Sequence, residues 1–425
     1  MTTATPAVVR PSPKMILVVA LLVAVFASAI IDIVQPVALM DIAASFKILP
    51  GTAAQLSAFN AIASVITALV LGTIGFIFRY KTLVLAGVVL IALCAIGLYL
   101  APNFTFAQLV FPLNGIGSVL IIVTAQTFIG NSFALDKKAK AIGWVTAAGT
   151  LANAVGSPIV GYMTGISGWR SSLILFMLPT AVVSLIFVFV AFPYNPPGPQ
   201  PGVKKEPFMK GFKLVLANKS AVACLVNAFL INASVFGAMV FEVTFYRQVF
   251  SATPSFAALI GPTAGTGFIT LGAVIGGHTV NRVGRKRLAV TAASAAVTLS
   301  LFSYFIPNML LRVAVRWATA FLGGVSGAAF VNLMVEQTPQ FRRTAMSLSS
   351  AFVGVGTAVG IAVSGILLNV YGIPGNIANT YLNPIMGFQA MGLAMAAFGF
   401  AAILVVLFFA RDPIKNPMQA THKDS

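Results

Sequence analysis

A chain of 425 residues that is 59% hydrophobic and 8% charged, with a mean hydropathy of +0.97, is excluded from the soluble globular classes and reads as a polytopic membrane protein. Its net charge of +18 does not mark a nucleic-acid partner, because the 26 basic residues fall in short clusters between apolar runs, the pattern that sets membrane topology. The two cysteines, Cys94 and Cys224, both lie inside apolar runs and define no disulfide framework.

Residues 1–14 form a short, mildly basic tail, and the apolar run behind it is too long, and followed by too many others, to be a cleaved signal. Spans are predicted at roughly 15–38, 54–78, 82–101, 106–129, 139–163 and 171–193, each near the length that a bilayer crossing needs, giving an N-terminal six-helix bundle over 15–193. Residues 194–219 hold NPPGPQPG and Lys204, Lys205, Lys210, Lys213 and Lys219, a proline-rich cationic linker that cannot be a span. Six more spans at roughly 220–243, 256–278, 288–306, 311–336, 344–369 and 386–409 give a C-terminal bundle over 220–410, followed by a tail over 411–425. The fold class predicted is an all-α membrane protein with twelve transmembrane helices in two pseudo-symmetric six-helix bundles, since lipid tolerates no unpaired backbone and the pattern lacks the alternation of barrel strands.

With both ends cytoplasmic, all but five of the 26 basic residues fall on the inner side; the five are Lys47, Arg170, Arg247, Arg312 and Arg316. The expected location is therefore the cell membrane, with both tails inside. Arg79 and Arg285, Lys137 and Arg342, and Gly149 and Gly354 recur at an offset of about 205 residues, as duplicated halves would show.

The segment GGHTVNRVGRKR, Gly276 to Arg287, resembles the loop signature of the major facilitator superfamily, G-x-x-x-D-R-x-G-R-K. Gly277, Arg282, Gly284, Arg285 and Lys286 are in register, and Asn281 stands where the pattern has aspartate. Such a loop uses glycines for close approach and tight reversal, and cations to meet the anionic leaflet and grip facing helix ends. The matching turn of the first half, Gly72 to Lys81, keeps a glycine and two cations but has Phe76 and Ile77 in place of the family's Asp and Arg. GTLANAVGSPIVGYMTGISGWR, Gly149 to Arg170, is similar to the fifth-helix signature of the family's antiporters; Gly149, Gly156, Pro158, Gly161 and Gly165 strip side chains from one helix, whether for sliding or for ordinary small-residue packing. Trp169 and Arg170 behind it read as an interfacial anchor. The fourth span lacks the arginine of many proton-coupled exporters, with Phe111 in its place, and the repeat offset sets Arg316 of the tenth span opposite.

Eight acidic residues make their placement informative. Asp136, Glu206, Asp412 and Asp424 read as solvated, Asp41 as lying just past the first span, and Glu336 as a surface partner of Arg342 and Arg343. Asp32 and Glu242 remain, each in the first span of its half. An ionised carboxylate at membrane depth costs about 2.5–3.5 kcal/mol, so such a group faces a wet cavity and often carries a proton or cation. Gln35 and Ser28 share the face of Asp32, and Asn232 shares that of Glu242, so a polar central cavity bordered by both acids is predicted, with Arg316 a further candidate. The competing assignments are a helix-end role for Asp32 and a pair with Arg247 for Glu242. Asn60, Asn114, Gln126, Asn227 and Asn332 are second-rank candidates, because single amides in spans mostly join helices.

No GxxxxGK or HExxH motif is present, which argues against an enzyme, and no cofactor or metal is called for. The resemblance implies a monomeric secondary transporter of the twelve-span drug:proton antiporter branch, moving a small organic, lipophilic or cationic compound by alternating access against protons. A proton- or sodium-coupled uptake symporter and a non-transporting sensor are the alternatives.

Overall fold

The computed structural model describes residues 15–74, 78–132, 135–192, 208–337, 342–371 and 384–412, and the regular structure among them is helical. Helix α1 (Met15–Val37) makes the first crossing; the short α2 (Leu39–Phe46) and α3 (Pro50–Ala53) lead into α4 (Gln55–Ile74), the second. The third is α5 (Tyr80–Leu100), the fourth α6 (Phe104–Val110) with α7 (Pro112–Ser132), and the fifth α8 (Leu135–Ser167). The sixth joins α9 (Trp169–Ser172), a π-helical turn at Leu173–Met177 and α10 (Leu178–Ala191). Helix α11 (Phe208–Ala217) precedes the second half, whose seventh crossing is α12 (Lys219–Met239) with α13 (Glu242–Phe250). The eighth is α14 (Pro254–Ala258), a π-helical turn at Leu259–Thr263 and α15 (Ala264–Val283). The last four are α16 (Arg285–Ser303), α17 (Met309–Gln337), α18 (Arg342–Tyr371) and α19 (Pro384–Phe409). Ten of the twelve are long and apolar enough by composition alone to span a membrane; α8 and α16, the other two, open on the basic clusters.

One packing pattern is used twice. In the first half α1 packs on α8 and α10, α4 on α7, and α5 on α7 and α10; in the second, α12 packs on α18 and α19, α15 on α17, and α16 on α17 and α19. Counted by crossing, the first of each half meets the fifth and sixth, the second meets the fourth, and the third meets the fourth and sixth. The contacts between halves obey the same symmetry: α4 lies on α18, and α8 lies on α14, the second π-helical turn and α15. Lipid offers no hydrophobic drive for association, so small residues must let backbones approach. Gly356 and Gly360 of α18 sit against the backbone of Phe229 and Ala233 of α12, Gly272 and Gly276 of α15 against Phe321 and Val325 of α17, and Gly87 of α5 against Gly117 of α7.

An even number of crossings separates the start of α1 from the end of α19, which share one face, here the terminal face; the other is the far face. The halves are tied from mid-height to the far face. Gly354 of α18 meets Val65 of α4, and Gly161 of α8 comes so close to Pro254 and Ser255 that an added Cβ would lie 2.8 Å from the Pro254 carbonyl oxygen. At the far face, the Gly51 N–H donates to Asn369 Oδ1 (3.0 Å), Asn369 Nδ2 donates to Thr52 Oγ1 (3.1 Å), and Arg247 of α13 pairs through both terminal nitrogens with Asp41 of α2. The two helices that carry this pair end alike, on residues in left-handed conformation, Lys47 at φ 54° and Ser251 at φ 52°.

Several sequence expectations change. The seventh span is not continuous, because α12 stops at Met239 and the chain restarts at Glu242. Trp169 is buried, with its indole N–H on Ser45 Oγ (2.9 Å) and its ring against Phe46, so it pins loops inside the protein and is no interfacial anchor. Asp412 is not simply solvated: its carboxylate accepts from the Lys286 N–H (3.2 Å) at the start of α16, where a helix favours negative charge. The side chains of Asn281, Arg342, Arg343, Asp136 and the lysines at 137, 138, 140 and 210, and the whole of Phe76, Ile77, Lys204, Lys205, Glu206, Lys415, Lys423 and Asp424, lie outside what the structure describes.

Candidate functional site

Asp32 is an exposed carboxylate on α1, most of whose other residues are buried. Asn114 Nδ2 of α7 donates to its Oδ1 at 2.6 Å, and Asn60 Nδ2 of α4 donates to the same oxygen at 3.1 Å. Ser118 Oγ lies 3.4 Å from Asn114 Oδ1 as donor, which fixes the amide with its nitrogen toward the acid. Oδ2 has no hydrogen bond among the described residues and is open. Pro36 cannot donate to the carbonyl four residues back, that of Asp32, so the backbone is also loosened here. Both amides predicted as helix joiners do join helices, but through this one carboxylate oxygen. Gln35, predicted beside the acid, is instead drawn into packing: it is buried, accepts from Ser57 Oγ (2.5 Å) and donates to the Ala53 carbonyl (3.4 Å). Ser28 is likewise buried, on the Val25 carbonyl.

The second acid has a different setting. Glu242 opens α13 and is 5% exposed, and Arg316 of α17 meets it with Nε on Oε1 (2.7 Å) and Nη2 on Oε2 (3.0 Å). Arg247, the partner weighed from sequence, is engaged with Asp41 instead. Gly261 gives the pair its room, since a Cβ there would lie 3.3 Å from Glu242 Cγ. One further turn out on α17 lies Arg312, 2% exposed, whose Nη1 donates to the Ser303 carbonyl (2.7 Å). Its guanidinium carbon sits 3.4 Å from the Phe245 ring centre and 4.8 Å from that of Tyr304. The sequence pattern treated Arg312 only as a far-face charge; a cation three residues inside a span's start gives no sign that it is buried.

Glu242, Arg316 and Arg312 line one end of a cavity of about 340 Å³, which also reaches Asn232 and Asn227 of α12. One face of α17 forms a long wall, from Arg312 to Met334, about 33 Å at 1.5 Å per residue, and the remaining lining is mostly Ala, Val, Ile, Met and Phe. All of its residues come from the second half. Asp32 is not among the residues that line this cavity; each acid has its polar partners in its own half, where the first crossing meets the fourth.

The basic turns do grip helix ends. Lys286 Nζ donates to the carbonyls of Leu407 (2.8 Å) and Ala410 (2.7 Å) at the end of α19, and Lys81 Nζ, its equivalent, donates to those of Phe189 (3.0 Å) and Phe192 (3.1 Å) at the end of α10. Gly284 makes the reversal at φ 97°, a conformation closed to most side chains. Close approach falls to Gly276, while Gly277 has open space around it; Arg282 is exposed and Arg285 half-buried. In the fifth crossing Gly156 faces Ile33 of α1 and Gly161 faces α14, Pro158 interrupts the α8 ladder, and Gly149 and Gly165 have nothing against them.

Two duplicated six-helix halves, tied together at one face and each with a polar centre among its helices, define the architecture of a secondary transporter. The model of the Major Facilitator Superfamily matches residues 20–335 and 250–424, and the chain belongs to that family. It is similar to a bacterial homolog of the human lysosomal transporter Spinster in an inward-facing, unoccupied conformation, at 16% identity and a TM-score of 0.76, over 95% of this chain and 100% of that one. The nucleoside transporter NupG is also similar, at 16% identity and a TM-score of 0.71, over 92% of this chain and 98% of that one. At such identities the likeness is one of fold.

Proposed function

We propose that this protein is a proton-coupled exporter of the plasma membrane that moves a small, largely apolar organic solute by alternating access, with the terminal face cytoplasmic. The distribution of cations supports that orientation. The ties across the far face then make the conformation described an inward-facing one. The observation that carries proton coupling is Asp32: one carboxylate oxygen is held by two amides and the other is free, at membrane depth and open to water. Asn60 Oδ1 is buried with no donor among the described residues, and Asp32 Oδ2 is free to carry the proton while Oδ1 keeps its two amide donors. The group can therefore hold or release a proton without breaking its cluster. Similarity of the Gly149–Arg170 segment to the antiporter signature supports export.

The test is transport by the purified protein in proteoliposomes under an imposed pH step, read with a panel of fluorescent apolar solutes of either charge. Wild-type protein is expected to drive at least one of them with the gradient. Asp32→Asn should reduce that flux at least tenfold while leaving the melting temperature unchanged. Undiminished gradient-driven flux in the variant would remove Asp32, and with it this coupling scheme.

A further inference from the structure

The cavity of the second half carries a charge that its own residues do not neutralise. Glu242 is committed to Arg316 through both oxygens. Arg312, at the same end, makes no ion pair among the described residues; its polar partners are Ser303 Oγ and the Ser303 carbonyl, both reached through Nη1, and the Tyr304 hydroxyl. Its Nε is buried with no hydrogen-bond partner among the described residues. A guanidinium has five N–H donors and stays charged, so this arrangement leaves both charge and donor capacity unspent. The aromatic rings of Phe245, Tyr246 and Tyr304 stand around it, at 3.4, 5.4 and 4.8 Å from the guanidinium carbon to the ring centres. Rings stabilise the cation's faces, and the Tyr304 hydroxyl accepts from one donor, which leaves Nε without an acceptor and the charge without a counter-ion. A buried cation without an anion is costly, and a fold that keeps one at the end of a cavity keeps it for an anion that arrives.

The rest of the cavity states what that anion is attached to. From Arg312 the lining runs along α17 past Ala320 toward Met334, and faces Ile231, Val235 and Val297. Its volume of about 340 Å³ falls at the low end for small-molecule sites. A compact polyanion would leave this apolar length empty, and a cation would meet a lining of net positive charge. Resting on the transporter reading, we infer that the solute held here is a single-headed anionic amphiphile, its sulfonate, phosphate or carboxylate group on the free edge of Arg312 and its apolar body along α17. With Glu242 and Arg316 neutralising each other, Arg312 leaves one positive charge unpaired, so one anionic group is balanced and a cluster of them is not.

Binding without any gradient tests this independently of transport. Octane-1-sulfonate, octyltrimethylammonium, octan-1-ol and methanesulfonate would be titrated calorimetrically into the full-length protein in lipid nanodiscs, with empty discs subtracted. Octane-1-sulfonate is expected to bind at least tenfold tighter than each of the others: the ammonium and alcohol test the head, and methanesulfonate separates an amphiphile from a free small anion. Arg312→Gln should cost at least tenfold in sulfonate affinity and abolish the preference over octanol. Ala320→Phe, which fills the slot without touching Arg312, should weaken octane-1-sulfonate at least tenfold and leave methanesulfonate unchanged. Should Arg312→Gln fail to fold, the four-ligand comparison on wild type and Ala320→Phe decide the matter. Equal binding of the ammonium or the alcohol by wild type, or unaltered sulfonate binding by folded Ala320→Phe, overturns the inference. Sulfonate binding with no loss of flux in Asp32→Asn would sink the coupling scheme and leave this site standing; gradient-driven flux lost in Asp32→Asn without sulfonate binding would do the reverse.

Discussion

Glu242 and Arg316 show how far a single residue's environment departs from its position in the chain. Glu242 is withdrawn from water and Arg316 is partly buried beside it, and the carboxylate is tolerated there because the guanidinium meets it in a two-bond geometry. Arg316→Gln strands a buried carboxylate, and the expected loss is about 3–5 kcal/mol of stability, seen as a lower midpoint in detergent-solubilised unfolding. The double change Glu242→Gln with Arg316→Gln should recover most of that loss, because it removes the charge that the single change leaves unpaired; a double variant as unstable as the single one would show that shape, not charge, holds the site. Sequence singled out Glu242 and Arg316 separately, on the rarity of charge inside a span. It could not join them, because their meeting depends on the rotation of α17 and on the break at Val240 and Phe241, which leaves Glu242 at a helix start. Asn60 and Asn114 are a milder case: amides inside spans were legible as helix joiners, while their convergence on one oxygen of Asp32 is a property of three helices at once.

Single elements explain why the signature turn recurs in degraded form in the first half. A lysine is among the residues that survive in both copies, and in both it caps the last helix of its own half by donating to two terminal carbonyls. Those carbonyls have no intrahelical donors, and the helix end is the negative pole of the dipole, so a cation there satisfies both needs. Lys286→Met is expected to lower stability by about 0.5–2 kcal/mol and Lys81→Met by a similar amount, read as melting temperatures of the purified variants, with Lys→Arg at either position closer to wild type. A fall in one half only would mean that the two caps are not equivalent. The twelve spans were legible because each is a run of apolar residues bounded by cations or turn residues. Their internal breaks were not: the stop at Met239, the restart at Pro112 and the π-helical turns at Leu173–Met177 and Leu259–Thr263 fall within stretches whose hydropathy hardly changes. An apolar run fixes that a helix crosses, and says little about where it bends.

At the scale of the whole molecule, the repeat places equivalent elements face to face across the far side. Asp41 on α2 and Arg247 on α13 occupy matching positions in their halves, on the short helix that follows α1 or α12, and precede the matching left-handed caps at Lys47 and Ser251. A tie at that location acts on the rocking of one half against the other and on little else, since neither side chain touches the polar centres. Both residues are partly exposed, so the pair is worth about 1 kcal/mol, enough to alter the ratio of closed to open far faces about fivefold. The native cysteines are fully buried and leave the surface free for labels, so Leu109→Cys on α6 and Leu310→Cys on α17, both strongly exposed at the far face, can carry spin labels, one on each half. Pulsed distance measurements in nanodiscs are expected to show a single short population in the parent protein. Asp41→Arg or Arg247→Asp alone, by setting like charges together, should transfer a large part of it to longer distances, and the combined swap should bring it back. Distance distributions that ignore the single changes would mean that the glycine contacts at Gly51 and Gly161, rather than this ion pair, hold the far face closed.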